Sequence, residues 1–169
     1  MKIISIINQK GGVGKTTTAI NLAAGLSSQG KKILVIDLDP QGNATTGLGL
    51  SNLDNSTETI YGVLNGAKSI AEVIKKTQFK NLDIITSNVD LSGLEVETAG
   101  DNKRAFILKD KLALFLNDSS DNYDYILTDC PPSLSLLTVM ALVSSNSLIV
   151  PLQTEFFALE GLTQLVKTI

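Results

Sequence analysis

Residues 8–18 read NQKGGVGKTTT, with three glycines, two lysines and three threonines in succession. Before this run stands the β-branched IISII (3–7), and after it the alanine-rich TTTAINLAAGLSSQG (16–30), which stops at Gly30. A short apolar strand handing over through glycines to a helix is the context a phosphate-binding loop requires. Glycines let the backbone turn and aim its N–H groups at phosphate oxygens, and the helix N-terminus adds a favourable dipole. Gly11, Gly12, Val13, Gly14, Lys15, Thr16 and Thr17 are therefore the expected nucleotide contacts. Lys15 should reach the β- and γ-phosphates, and the Thr16 hydroxyl should ligate Mg²⁺. An ordinary glycine-containing strand-to-helix turn would need neither the lysine nor the threonine.

The common pattern G-x-x-x-x-G-K-[ST] would place its first glycine at position 9, where this chain has Gln9. Lys10 stands in the gap. By itself it reads either as a solvated loop charge or as a second cation welcome beside a triphosphate.

Four more apolar runs follow: KILVID (32–37), LDIIT (82–86), YDYILTD (123–129) and SLIVPL (147–152). Most are continuous rather than alternating, as in strands of a parallel sheet covered on both faces. Between them, SIAEVIKK (69–76) opens with the capping-box pattern Ser69 to Glu72 and reads as a helix. Residues 102–116 carry Phe106, Leu112, Phe115 and Leu116 at helical spacing, and SLSLLTVMALVSS (133–145) is apolar nearly all round, the mark of a buried helix. Repeated β-α-β order predicts an α/β fold: an open, mostly parallel sheet with helices on both faces. The stretch 41–62, rich in Gly, Asn, Ser and Thr, reads as a long loop within the domain.

With 169 residues, 43% of them hydrophobic, the chain suits one domain spanning 1–169. Leu159, Leu162, Leu165, Val166 and Ile169 recur at helical spacing up to the last residue with no glycine cap, which reads as a domain lacking its C-terminal portion. Fourteen basic against 17 acidic residues give a net charge of −3, so any DNA contact needs a local basic patch. The absence of histidine removes imidazole from every mechanism, including Ser-His-Asp triads and histidine-ligated metals. The lone Cys130 fits a reducing, cytoplasmic setting and, with no histidine or zinc partner to activate it, reads as a packing residue. No apolar run is long enough for a signal h-region or a membrane span.

Ligands of open α/β sheets lie beyond the carboxyl ends of the strands, so acidic residues there are candidates for chemistry. In KILVIDLDPQGN, Asp37 and Asp39 are one residue apart and project to the same side while strand geometry persists, before Pro40 ends the ladder. One carboxylate of this pair could support a Mg²⁺-bound water while the other orients an attacking water. YDYILTDCPP ends in Asp129, in the form of a Walker B aspartate. The plain alternative for each is a turn or cap residue.

KGGVGKTT resembles the deviant Walker A loop of the ParA/MinD family of dimeric P-loop ATPases. DLDPQGNAT resembles the switch I segment of its ParA/Soj branch, TDCPPS its Walker B and switch II region, and PLQTEFFALEGLTQL (151–165) a further stretch of the same pattern. The resemblance implies an ATP-dependent chromosome or plasmid partition ATPase using ATP and Mg²⁺. Lys10 would reach the nucleotide of a partner subunit, Asp39 would position the water, Asp37 would support the Mg²⁺ shell, and Asp129 would bind Mg²⁺ through water. It further implies an ATP-dependent homodimer, nonspecific DNA, a ParB/Spo0J-like partner, and a cytoplasmic, nucleoid-associated location without a membrane. ATP is preferred to GTP because the nearest match to N-K-x-D, Asn102 to Ala105, lacks the aspartate. Two alternatives remain: an inactive fragment of such an ATPase, and a metabolic P-loop synthetase or kinase, against which DPQGN argues.

Overall fold

The structure is a computed structural model that describes residues 1–50, 56–118, 123–154 and 163. Six strands form one sheet: β1 (Lys2–Ile6), β2 (Ile33–Asp37), β3 (Ile74–Lys76), β4 (Leu82–Ile85), β5 (Tyr125–Asp129) and β6 (Ser147–Ile149). Their spatial order is β3-β4-β2-β5-β1-β6, with every pairing parallel except that of β3 with β4. The helices are α1 (Lys15–Ser28), α2 (Asn43–Gly47), α3 (Ile60–Leu64), α4 (Ile70–Val73), α5 (Leu94–Glu97), α6 (Ile107–Asp118) and α7 (Leu136–Ser144). This is the expected open α/β sheet.

Strand alternation distributes the apolar side chains to two cores, one on each face of the sheet. Ile3, Leu34, Ile36, Ile85 and Ile126 pack with α3, α4, α6 and α7 through Val63, Ile70, Leu112 and Met140. Ile6, Ile33, Val35, Ile84 and Leu127 pack on the other face with Ala19 and Ala23 of α1 and with Leu48 after α2. The small alanines bring α1 close over the sheet. Parity then places Asp37 and Asp129, which share a face with Val35 and Leu127, on the side that α1 covers.

Two expectations need correction. The helix read over 69–76 ends after one turn. The capping box of Ser69 and Glu72 forms, but the backbone turns extended at Ile74, and Ile74–Lys76 pairs antiparallel with β4 as an edge strand. Two lysines on that edge oppose further strand pairing. The stretch 41–62, read as one long loop, contains α2, a 3₁₀ turn at Ser56–Glu58 and the start of α3. Its polar residues act as caps rather than as loop filler: the Thr59 hydroxyl accepts the Tyr61 amide at 3.3 Å. The apolar periodicity of 159–169 lies outside the described residues.

Candidate functional site

The phosphate loop leaves β1 at Ile6 and enters α1 at Lys15. Gly14, the residue before the helix, has φ +89°, a left-handed conformation that a side chain would strain. No side chain caps the α1 N-terminus and no acidic residue occupies its first turn, so its amides are left for an anion. The loop encloses a cavity of about 310 Å³ lined by Gly11, Gly12, Gly14, Lys15, Thr16, Thr17, Asp39, Asn43 and Pro132. Val13 is buried, and Lys10, one residue before the lining glycines, is exposed. A larger groove of about 480 Å³, reaching from Gly66–Glu72 to Lys111, Leu114 and Phe115, contains none of the residues expected from the sequence to bind nucleotide or metal.

Sheet register gathers the acidic residues behind the loop. Ile6, Asp129 and Asp37 are direct partners across β1, β5 and β2, so both carboxylates stand beside the strand end from which the loop departs. Asp37 accepts three hydrogen bonds: Oδ1 takes the Asp39 amide at 3.1 Å, and Oδ2 takes the Thr45 amide at 2.8 Å and its hydroxyl at 2.7 Å. Asp39 borders the cavity and accepts the Gln41 amide at 3.0 Å. Both oxygens of Asp129 are buried without a hydrogen-bond partner of good geometry.

Electrostatics follow from this burial. Desolvation pushes the Asp129 carboxyl up to about 7; the Thr16 hydroxyl opposes the shift and the charges of Asp37 and Asp39 add to it. Desolvation also raises Asp37 to about 6 against its hydrogen bonds from Thr45 and Asp39. Burial lowers Lys15, with Asp129 and Asp39 pulling the other way. Its ammonium donates to the Lys10 carbonyl at 2.9 Å, inside the loop it serves. Burial raises the Cys130 thiol well above its ordinary range, which suits a packing residue.

An orphaned buried carboxylate beside a threonine hydroxyl is a donor set suited to a hard cation. Among the described residues no group of three or more Asp, Glu or Cys gathers to hold a metal unaided, so an ion here would draw on phosphate oxygens and water, as Mg²⁺ does.

Sequence reasoning missed several residues that shape the site. The Asn8 side chain accepts the Lys10 amide at 3.0 Å and donates to the Pro151 carbonyl at 2.8 Å, while Gln153 donates to the Gly12 carbonyl at 3.2 Å. These contacts tie the segment after β6 to the loop. Only the position of Asn8 inside the quoted motif could have suggested it.

A parallel sheet with a glycine loop between β1 and α1, and acidic residues at the ends of β2 and β5, defines a P-loop NTPase. The chain belongs to the AAA domain family, whose model matches residues 1–169. It is 48% identical over 169 residues to the chromosome partitioning protein ParA of Caulobacter vibrioides, covering 100% of this chain and 62% of that protein. It is equally 48% identical over 168 residues to the sporulation initiation inhibitor protein Soj of Bacillus subtilis, covering 99% of this chain and 64% of that one. The ParA/Soj resemblance read from the motifs is thus met along the whole chain, which spans less than two thirds of the length of these relatives. Among solved structures, the cobyrinic acid a,c-diamide synthase of Mycobacterium smegmatis with bound ATP analog and magnesium superposes with a TM-score of 0.90 at 36% identity, over 100% of this chain and 67% of that one.

Proposed function

We propose that this chain is the nucleotide-binding part of a partition ATPase, in which ATP holds two subunits together on DNA and hydrolysis releases them. The observation that carries the reading is the cavity itself: a phosphate loop with Lys15 and Thr16 faces Asp39, and a carboxylate without a partner lies behind it. Lys15 and the α1 amides bind the phosphates, and Asp39 orients the attacking water. Thr16 and Asp129 would hold Mg²⁺, Asp129 through water, and Asp37 would support that shell. Magnesium, when bound, supplies charge neutralisation on the phosphoryl oxygens. Lys10, an exposed residue of the loop, reaches the nucleotide of the second subunit. ATP acts as a switch, because its contacts differ between the single and the paired chain. A ParB-like protein stimulates turnover, and the assembly works in the cytoplasm on the nucleoid. No helix among the described residues is long and apolar enough to cross a membrane.

The structural likeness to a diamide synthase favours a second reading, an ATP-dependent synthetase. That enzyme would use ATP as a monomer or constitutive oligomer and would need a second substrate for turnover.

Light scattering after size exclusion, with ATP and Mg²⁺ or with ADP, separates the two. The partition reading expects a dimer with ATP and a monomer with ADP. Lys10→Ala should stay monomeric while binding nucleotide, and Asp39→Ala should accumulate as an ATP-bound dimer that hydrolyses slowly. Nucleotide-bound monomer in every condition overturns the dimer, and rapid hydrolysis by Asp39→Ala rejects the role given to that residue.

A further inference from the structure

Resting on the ATPase reading above, we infer that Thr45 is a positioning residue for hydrolysis: its hydroxyl clamps Asp37 to the end of β4 and so sets the place of Asp39. Thr45 is 3% exposed, and Asp37 is fully buried. A hydroxyl has one proton to give. The Ser87 amide donates to Thr45 Oγ1 at 3.0 Å, so the hydroxyl proton goes to Asp37 Oδ2 at 2.7 Å. The other oxygen of that carboxylate accepts the Asp39 amide at 3.1 Å. Two sets of donors therefore converge on the Asp37 carboxylate: the Ser87 amide through the Thr45 hydroxyl on one oxygen, and the Asp39 amide on the other.

Two features show that this arrangement is built into the fold. Gly42 turns at φ +64°, and a Cβ there would come within 3.3 Å of the Ser87 carbonyl oxygen, so the segment between β2 and α2 is pressed onto the end of β4. Asp39 is also held from its other side, because its carboxylate accepts the Gln41 amide at 3.0 Å. Without the hydroxyl, Asp37 keeps its place in β2 and the Thr45 amide, but its carboxylate loses the side-chain link to Ser87 beyond β4. Asp39 then moves relative to a cavity whose opposite wall, the phosphate loop, stays where it is.

Three variants test this: Thr45→Val removes the hydroxyl at nearly constant volume, Thr45→Ser keeps it, and Thr46→Val controls for valine on the exposed neighbouring position. With the wild type hydrolysing ATP, Thr45→Val should lose on the order of 10- to 100-fold in kcat with ATP affinity kept within about twofold, the pattern of a misplaced catalytic group. Thr45→Ser should recover most of the rate, and Thr46→Val should match the wild type. Full activity in Thr45→Val, or an equal loss in Thr45→Ser, overturns the inference. Should the wild type not hydrolyse ATP, the ATPase reading fails, and amide hydrogen exchange decides the clamp on its own. Faster exchange of the Asp39 and Ser87 amides in Thr45→Val but not in Thr45→Ser supports it, and unchanged exchange in Thr45→Val rejects it. If Thr45→Val does not fold, the rate and exchange of Thr45→Ser decide: wild-type values support the clamp, and loss of both in a folded protein rejects it.

Discussion

Asp129 stands in a position that folding alone would not select. It is fully buried, its two carboxyl oxygens lack hydrogen-bond partners of good geometry, and its carboxyl is raised from 3.8 to about 7. The folded state therefore holds this proton more tightly than the unfolded chain. Below pH 4 both states are protonated and the group makes no difference. From about pH 4 to about pH 7 the unfolded chain ionises first, so stability falls as pH rises, by up to about 4 kcal/mol for a shift of this size. Asp129→Asn imitates the protonated form. In urea unfolding without nucleotide it should match the wild type near pH 4 and exceed its stability at pH 8, with added Mg²⁺·ATP stabilising only the wild type strongly. Equal stability of the two proteins at pH 8 would show that the site tolerates the charge unaided. The phosphate loop and the place of Asp39 beside it were legible in the sequence, because residue type and local spacing mark a glycine loop and an acidic strand end. Thr45 and Asn8 were not, since each also bonds a distant partner, 42 and 143 residues away, that only the strand order brings near.

Legibility at the scale of elements depended on length. β2 and β5 are buried on both faces, and their unbroken apolar runs announced them. α4 and β3 share eight residues in which a genuine capping box starts a helix that cannot continue, because Ile74 turns out to pair with Ile85. Tertiary pairing won over local pattern. The helices also separate two effects of glycine. Gly25 lies inside α1 with open space where a Cβ would go, so Gly25→Ala should stabilise the protein by up to about 1 kcal/mol from helix propensity alone. Gly62 lies inside α3, where a Cβ would collide with the Thr57 carbonyl. A backbone group yields less readily than a side chain, so the same substitution there should destabilise by about 1–3 kcal/mol despite the better propensity. Urea midpoints of the two variants moving in the same direction would refute the steric account.

For the molecule as a whole, the two hydrophobic cores lie on opposite faces of a single sheet and are built from alternate residues of the same strands. Neither can melt while the other stands, because losing β2 or β5 strips both. The chain should therefore unfold by heat in one cooperative transition, with coincident signals from secondary structure and from the tyrosines. The nucleotide site lies at the ends of these same central strands, so ligand binding couples to that single transition. At 100 times its Kd, Mg²⁺·ATP adds about 2.7 kcal/mol, which for a chain of this size is a rise of about 5–10 °C in Tm. Lys15→Ala should abolish most of the rise, because the ammonium that would meet the phosphates is lost from the loop, where it donates to the Lys10 carbonyl. Two separate transitions, only one of them moved by nucleotide, would instead mean that the edge strands β3 and β6 and their helices fold apart from the site. In that event the sheet would no longer carry the coupling on which an ATP-driven switch depends.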